Sequence, residues 1–297
     1  MVVLPRLEGN EILAEYIKKG KPFCIARLGY GPETYMMYDY LLNPHKYLQA
    51  LRSQNPNLNE IYKICGIYST KNDIEMFEHF WKATFVAIQN SDVLASLNYD
   101  LRIRRIETDL AREVKIPQII ATTLEPFYIC EDKVKPWTLE LYGKKVLIIS
   151  PFTESFERQI KNKFRFFKDP NQKIFEEGQD FVFYKTYSTQ AHNQIHENWI
   201  ETFQHMAKDI ARLEFDVALL GCGGYGLPLC NFIKTELNKS AIYIGGGLQL
   251  LFGVIGARWE ARNDWKQRIL ENDMRMIHPQ EDEKIPDFKK VEGGAYW

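Results

Sequence analysis

Residues 216–228, "DVALLGCGGYGLP", and residues 240–259, "SAIYIGGGLQLLFGVIGARW", decide the fold. In the first stretch an apolar run, Val217 to Leu220, drops into a glycine cluster and then into a segment of helical pattern. A short apolar run, a turn of bare backbone and a helix start together make one βα unit of a buried parallel sheet. The second stretch repeats the arrangement, with Gly245 to Gly247 at the turn. Glycine permits a tight turn, and it also lets another group come close to the main chain. What comes close to the backbone at these two turns is therefore the question the sequence poses.

The same alternation runs outward in both directions. "FCIAR" (23–27), "DVLASL" (92–97), "PQIIATTLEPFY" (117–128, ending in a polar loop), "VLII" (146–149) and "FVFYKTY" (181–187) read as strands. "EILAEYIKK" (11–19), "ETYMMYDYLL" (33–42), "DIEMFEHFWKATFVAI" (73–88, with Asp73 as N-cap) and 197–215 read as helices from their apolar spacing. "ICGIYS" (64–69) also reads as a strand, and "LRIRRI" (101–106) as the solvated face of a helix. The expected fold class is α/β, a Rossmann-like, mainly parallel sheet with helices on both faces. No linker divides the chain, so residues 1–297 are expected to form one domain, with 260–297 as a C-terminal extension packing on it.

Composition narrows the function classes. With 38 Lys and Arg against 39 Asp and Glu there is no basic field for nucleic acid, and none is expected as a partner. The apolar runs fall short of the ~20 residues that span a bilayer, and the N-terminus lacks the charge pattern of a secretory signal. Cys24, Cys65, Cys130, Cys222 and Cys230 are odd in number and share no Cys-x-x-Cys spacing, which suits buried thiols in a reducing, cytoplasmic compartment.

In parallel sheets ligands bind beyond the carboxyl ends of the strands, so the loops there are the candidate site. Gly29, Gly221, Gly223, Gly224, Gly245 and Gly246 expose amides, and the helix start at Ser150, Phe152, Thr153 and Ser155 adds a partial positive charge suited to phosphate. Arg27, ending its strand, can grip a phosphate bidentately, and Lys185, Gln190 and Gln249 are candidate phosphate or hydroxyl contacts. Tyr225, in a glycine loop, and the terminal Tyr296–Trp297 can stack on a base or sugar, with a lid or packing role as the alternative. Glu33 is the first candidate for a general base and Glu154 the second. His192 and His196 would share one helix face, but the His-Glu-x-x-His order is absent, so no metal ligand is assigned.

The loop at 221 resembles the first motif of S-adenosylmethionine-dependent methyltransferases. That family needs an acidic residue at the end of the following strand, and here the strand ends in glycines. A second resemblance covers nearly the whole chain. "FCIARLGYGPE" resembles the opening strand and loop of the GT-D glycosyltransferases. "GKKVLIISPFTESFERQ", "FDVALLGCGGYGLPLCNFIK", "AIYIGGGLQLLFGVIGARW" and "VEGGAYW" are similar to blocks of GT-D-like proteins of polysaccharide gene clusters and large viruses.

The resemblance implies transfer of a sugar from a nucleoside-diphosphate sugar to a hydroxyl of a glycan or glycoprotein acceptor. In that family an Asp-x-Glu arrangement in the first loop goes with a divalent Mn or Mg ion. Here Tyr30 stands at the Asp position and Pro32 moves Glu33 one place on, so the arrangement is met only in part and dependence on the ion stays open. The alternatives from the residues themselves are a methyltransferase and a noncatalytic nucleotide-sugar-binding module.

Overall fold

The computed structural model describes residues 2–297 other than 30, 53–55, 72–73 and 98–99. The expected N-cap Asp73 and the loop residue Tyr30 lie outside the described residues. Eight strands form one sheet: β1 (Val3–Leu4), β2 (Cys24–Arg27), β3 (Val93–Ser96), β4 (Gln118–Ile120), β5 (Val146–Ser150), β6 (Phe181–Lys185), β7 (Val217–Leu220) and β8 (Ser240–Tyr243). Their spatial order is β1-β4-β3-β2-β8-β7-β5-β6, and every pairing is parallel. The α/β, Rossmann-like reading of the sequence holds.

The central strands read as continuous apolar runs because both faces are covered. Side chains alternate across the sheet. On one face Cys24, Ala26, Leu147, Ile149, Ala218, Leu220, Ala241 and Tyr243 pack under the helices Gly31–Leu42, Ile74–Gln89, Trp199–Ile210 and Gly226–Thr235. On the other, Ile25, Val146, Ile148, Val217, Leu219 and Ile242 pack under Arg6–Lys19 and Thr153–Lys161. Strand β2 sends its helix to the first face, whereas the chain after β8 joins the second. Neighbouring strands whose connections leave in opposite directions open a crevice between them, so a crevice is expected at the β2/β8 boundary.

Two local expectations are corrected. "ICGIYS" is not a strand. Ile64 and Cys65 end the helix Pro56–Cys65, Gly66 stops it with φ 73°, and Ser69 makes only an isolated bridge to Asn198. So short an apolar stretch has no decisive periodicity, and Ile64 and Cys65 are buried with Ile61 along the last turns of the helix while residues 66–68 are irregular. His192 and His196 do not share a helix face either. Ala191 and His192 both have positive φ, and the next helix begins only at Trp199, capped by Asn198. The His196 ring instead stacks on His205 at 4.4 Å, and His192 meets the edge of Tyr62.

The five cysteines are free and buried. Residues beyond Trp259 are built into the second face: Trp265 is 1% exposed against Phe127 and Phe166, and Trp297 packs on Phe152. The deepest tie is Glu283. Its carboxylate accepts from the amides of Glu154 (2.9 Å), Ser155 (3.1 Å) and Gln280 (3.0 Å) and from the Ser155 hydroxyl. It thus caps the helix Thr153–Lys161 from 128 residues away. Glu283→Ala would leave buried amides without partners and is expected to cost roughly 3–5 kcal/mol. Urea unfolding checks this, and a midpoint equal to wild type would contradict the capping role.

Candidate functional site

The expected crevice is present. A cavity of 480 Å3 lies beyond the carboxyl ends of β2, β5, β6, β7 and β8. Of the candidate residues, Arg27, Gly29, Glu33, Ser150, Phe152, Gln190, Gly221, Gly223, Gly224, Tyr225, Gly245, Gly246 and Gln249 line it. Thr153, Glu154, Ser155 and Lys185 are outside that lining.

The helix start at 153–155 therefore differs from its expected role. The anion at its amides is the chain's own Glu283, and Ser155 is fully buried beneath it. Lys185 and Glu154 neutralise each other at 2.7 Å on the outer surface, both side chains more than a third exposed. A helix N-terminus already satisfied by an internal carboxylate offers little to a phosphate. Tyr225 also departs from expectation. Its ring is 2% exposed and stacked on Trp199 at 5.5 Å, and its hydroxyl bonds Thr189 Oγ1 at 2.9 Å, so it has no free face for a base.

The glycines show what comes close to the backbone. At Gly245, where φ is 78°, a methyl group would overlap Arg27 Nη1, the same nitrogen that donates to the Ile244 carbonyl at 2.9 Å. At Gly246 it would meet the Tyr296 ring at 2.5 Å, and at Gly247 the Glu125 carboxylate at 2.5 Å. At Gly226 it would overlap the Tyr243 ring. Side chains of the protein itself thus use these positions. The glycines bring three chemically useful groups, Arg27, Glu125 and Tyr296, against the ends of β8.

Glu33 is 7% exposed at the start of the helix Gly31–Leu42 and reaches back to Gly29. It faces Cys65, whose thiol is held well above its ordinary pKa by burial and then by the Glu33 charge. Cys65 is therefore a neutral wall of the cavity and no nucleophile at neutral pH. Two residues of the cavity lining, Thr186 and Gln249, each carry an oxygen, Oγ1 and Oε1, that is buried without a hydrogen-bond partner among the described residues. Buried polar atoms are rarely left so, and an arriving ligand hydroxyl or water would satisfy them. Among the described residues no three His, Cys, Asp or Glu side chains converge on a metal position.

A family model for the GT-D fold-like domain matches residues 10–251. The chain belongs to the GT-D-like family. No curated protein and no solved structure gives a significant match. The GT-D-like region contains Arg27, Glu33 and all the glycines of the cavity, whereas Arg258, Glu292 and Tyr296, which also line it, lie beyond the matched residues.

Tyr296, one of the aromatic residues singled out in the sequence, lines the cavity, whereas sequence reasoning missed Glu125, Thr186, Arg258 and Glu292. Only Thr186, directly after a strand, carried a usable positional signal. Glu125 borders a second hollow of 200 Å3 that shares Arg27 and Leu97 with the main cavity. Burial raises its pKa, against the opposing pull of Arg27, Arg262, Arg268 and Arg6. As pH rises the unfolded chain releases this proton first, so stability falls between the unfolded value, about 4.3, and the higher folded one. Glu125→Gln is expected to melt above wild type at neutral pH, with the difference closing below about pH 4, where both carboxyl-site groups are uncharged. Equal melting temperatures at both pH values would contradict the assignment.

Proposed function

We propose that the protein is a glycosyltransferase that binds a nucleoside-diphosphate sugar in the 480 Å3 cavity and transfers the sugar to a hydroxyl of a glycan or glycoprotein. The observation that carries the proposal is the presence of Arg27 and a buried carboxylate, Glu33, in one cavity of a GT-D-like domain. The unpartnered Thr186 and Gln249 oxygens suit the hydroxyl groups of a sugar.

In the reaction an acceptor oxygen forms a bond to the anomeric carbon as the bond from that carbon to the diphosphate oxygen breaks. The bonding pair leaves with the diphosphate, and the acceptor proton passes to a carboxylate. Arg27 meets the charge that develops on the leaving group, where a pre-oriented cation in a partly dry site is worth most. Glu33 is the proton acceptor in this scheme. The Asp-x-Glu set that the resemblance implies is incomplete here and no cluster of His, Cys, Asp or Glu among the described residues replaces it, so no step is routed through a metal ion.

A methyltransferase would need an acidic residue after β8 for the ribose of its cofactor, and that position holds Ile244 and Gly245. Melting the protein with uridine or guanosine diphosphate and, separately, with S-adenosylmethionine tests the choice. Stabilisation by a diphosphate is expected, about 2.7 kcal/mol at a hundred times Kd. Stabilisation by the methionine compound alone would overturn it. Arg27→Ala is expected to weaken diphosphate binding by roughly tenfold or more, the loss of one charge-assisted contact. Glu33→Gln should keep donor affinity and lose turnover by about 100-fold or more, the usual contribution of a general base. Wild-type rates in that variant would remove Glu33 from the mechanism.

A further inference from the structure

The chain beyond the matched family region returns to the site as a strap. Arg258, Glu292 and Tyr296 all line the cavity. The return is made by three successive residues of positive φ, Glu292 (48°), Gly293 (73°) and Gly294 (86°). It is then pinned from several sides. Ala257 N donates to Trp297 O and Arg258 N to Ala295 O, both at 3.1 Å. Gln249 Nε2 donates to Tyr296 O at 3.1 Å, and Trp297 Nε1 to Glu283 O at 3.0 Å. Left-handed backbone at a non-glycine residue such as Glu292 persists only where its surroundings demand it.

This strap holds a second guanidinium in the lining of the same cavity as the first. Arg27 abuts Gly245, and the Tyr296 ring abuts Gly246. Arg258 lies over that ring at 4.6 Å and is ion-paired with Glu292. The Tyr296 ring therefore links Gly246 to the Arg258 guanidinium, and both arginines belong to the lining of one cavity. Gln249, whose Oε1 lacks a partner, is bonded to the strap at the same end of the cavity.

The two terminal carboxylates differ in how firmly they are held. Glu283 is 4% exposed, accepts from three amides and a hydroxyl, and is a fixed part of the fold. Glu292 has its pairing with Arg258, with side chains 30% and 37% exposed. An ion pair that open to water contributes little, and a diphosphate, with more charge and a matching fork of oxygens, competes well for the same guanidinium.

We propose that Arg258 is a second ligand for the diphosphate of the donor, and that Glu292 is the internal anion which that diphosphate displaces. The identity of the ligand rests on the glycosyltransferase reading. Isothermal titration of wild type, Arg258→Gln and Glu292→Gln with uridine and guanosine diphosphates, and with the parent nucleosides, tests the assignment. For Arg258→Gln the expected result is diphosphate affinity lower by about tenfold or more with nucleoside affinity unchanged. For Glu292→Gln it is diphosphate affinity several-fold higher, because the competing charge is gone.

Unchanged diphosphate affinity in Arg258→Gln would overturn the assignment. So would weaker binding in Glu292→Gln, since both residues would then merely hold the strap in place. If Arg258→Gln loses its cooperative melting transition, Glu292→Gln, which retains Arg258, decides alone by the sign of its change. A wild-type protein that binds neither diphosphate overturns the proposed function itself, and this assignment with it.

Discussion

The hydrogen bond from Arg27 Nη1 to the Ile244 carbonyl is the constraint around which the site is built. It joins the end of β2 to the loop after β8 at a boundary where the connections of neighbouring strands leave for opposite faces of the sheet. For the guanidinium to reach that carbonyl the next residue can carry no side chain and must turn with positive φ, which only glycine does at no cost. From this follow the glycine run 245–247, the approach of Tyr296 and Glu125 to it, and a cavity with a cation fixed at its floor.

Most of the architecture was legible because it is local. Buried strands such as Val146–Ser150 and Val217–Leu220 announce themselves as unbroken apolar runs, and helices such as Arg6–Lys19 carry the 3.6-residue spacing and a glycine stop. Strand ends then locate the candidate site by topology alone, which is why Arg27, Glu33 and the glycines were found together. "ICGIYS" failed for the opposite reason. Its four apolar residues fit either element, and only packing against the neighbouring helices chose between them.

The missed parts depend on contacts between distant residues. Nothing near Thr153 or Ser155 indicates that Glu283 will take the amides of that helix, and nothing near Arg258 indicates that Glu292 will pair with it. The glycines at 221–226 and 245–247 misled in a related way. Their pattern is that of a phosphate loop, yet the groups against them are Tyr243, Arg27, Tyr296, Glu125 and the Gly245 carbonyl. The C-terminal segment, a charged tail by composition, proves to carry the Glu283 cap and part of the cavity wall.

The central claim is that the cavity at the β2/β8 boundary, and no other part of the molecule, receives a nucleoside diphosphate. A crystal structure of the protein with uridine or guanosine diphosphate tests it most directly. The account predicts the diphosphate beside Arg27 along Gly245 and Gly246, with Glu283 still seated on the amides of Glu154 and Ser155. A diphosphate bound at those amides with Glu283 expelled, or bound outside the cavity altogether, would contradict it.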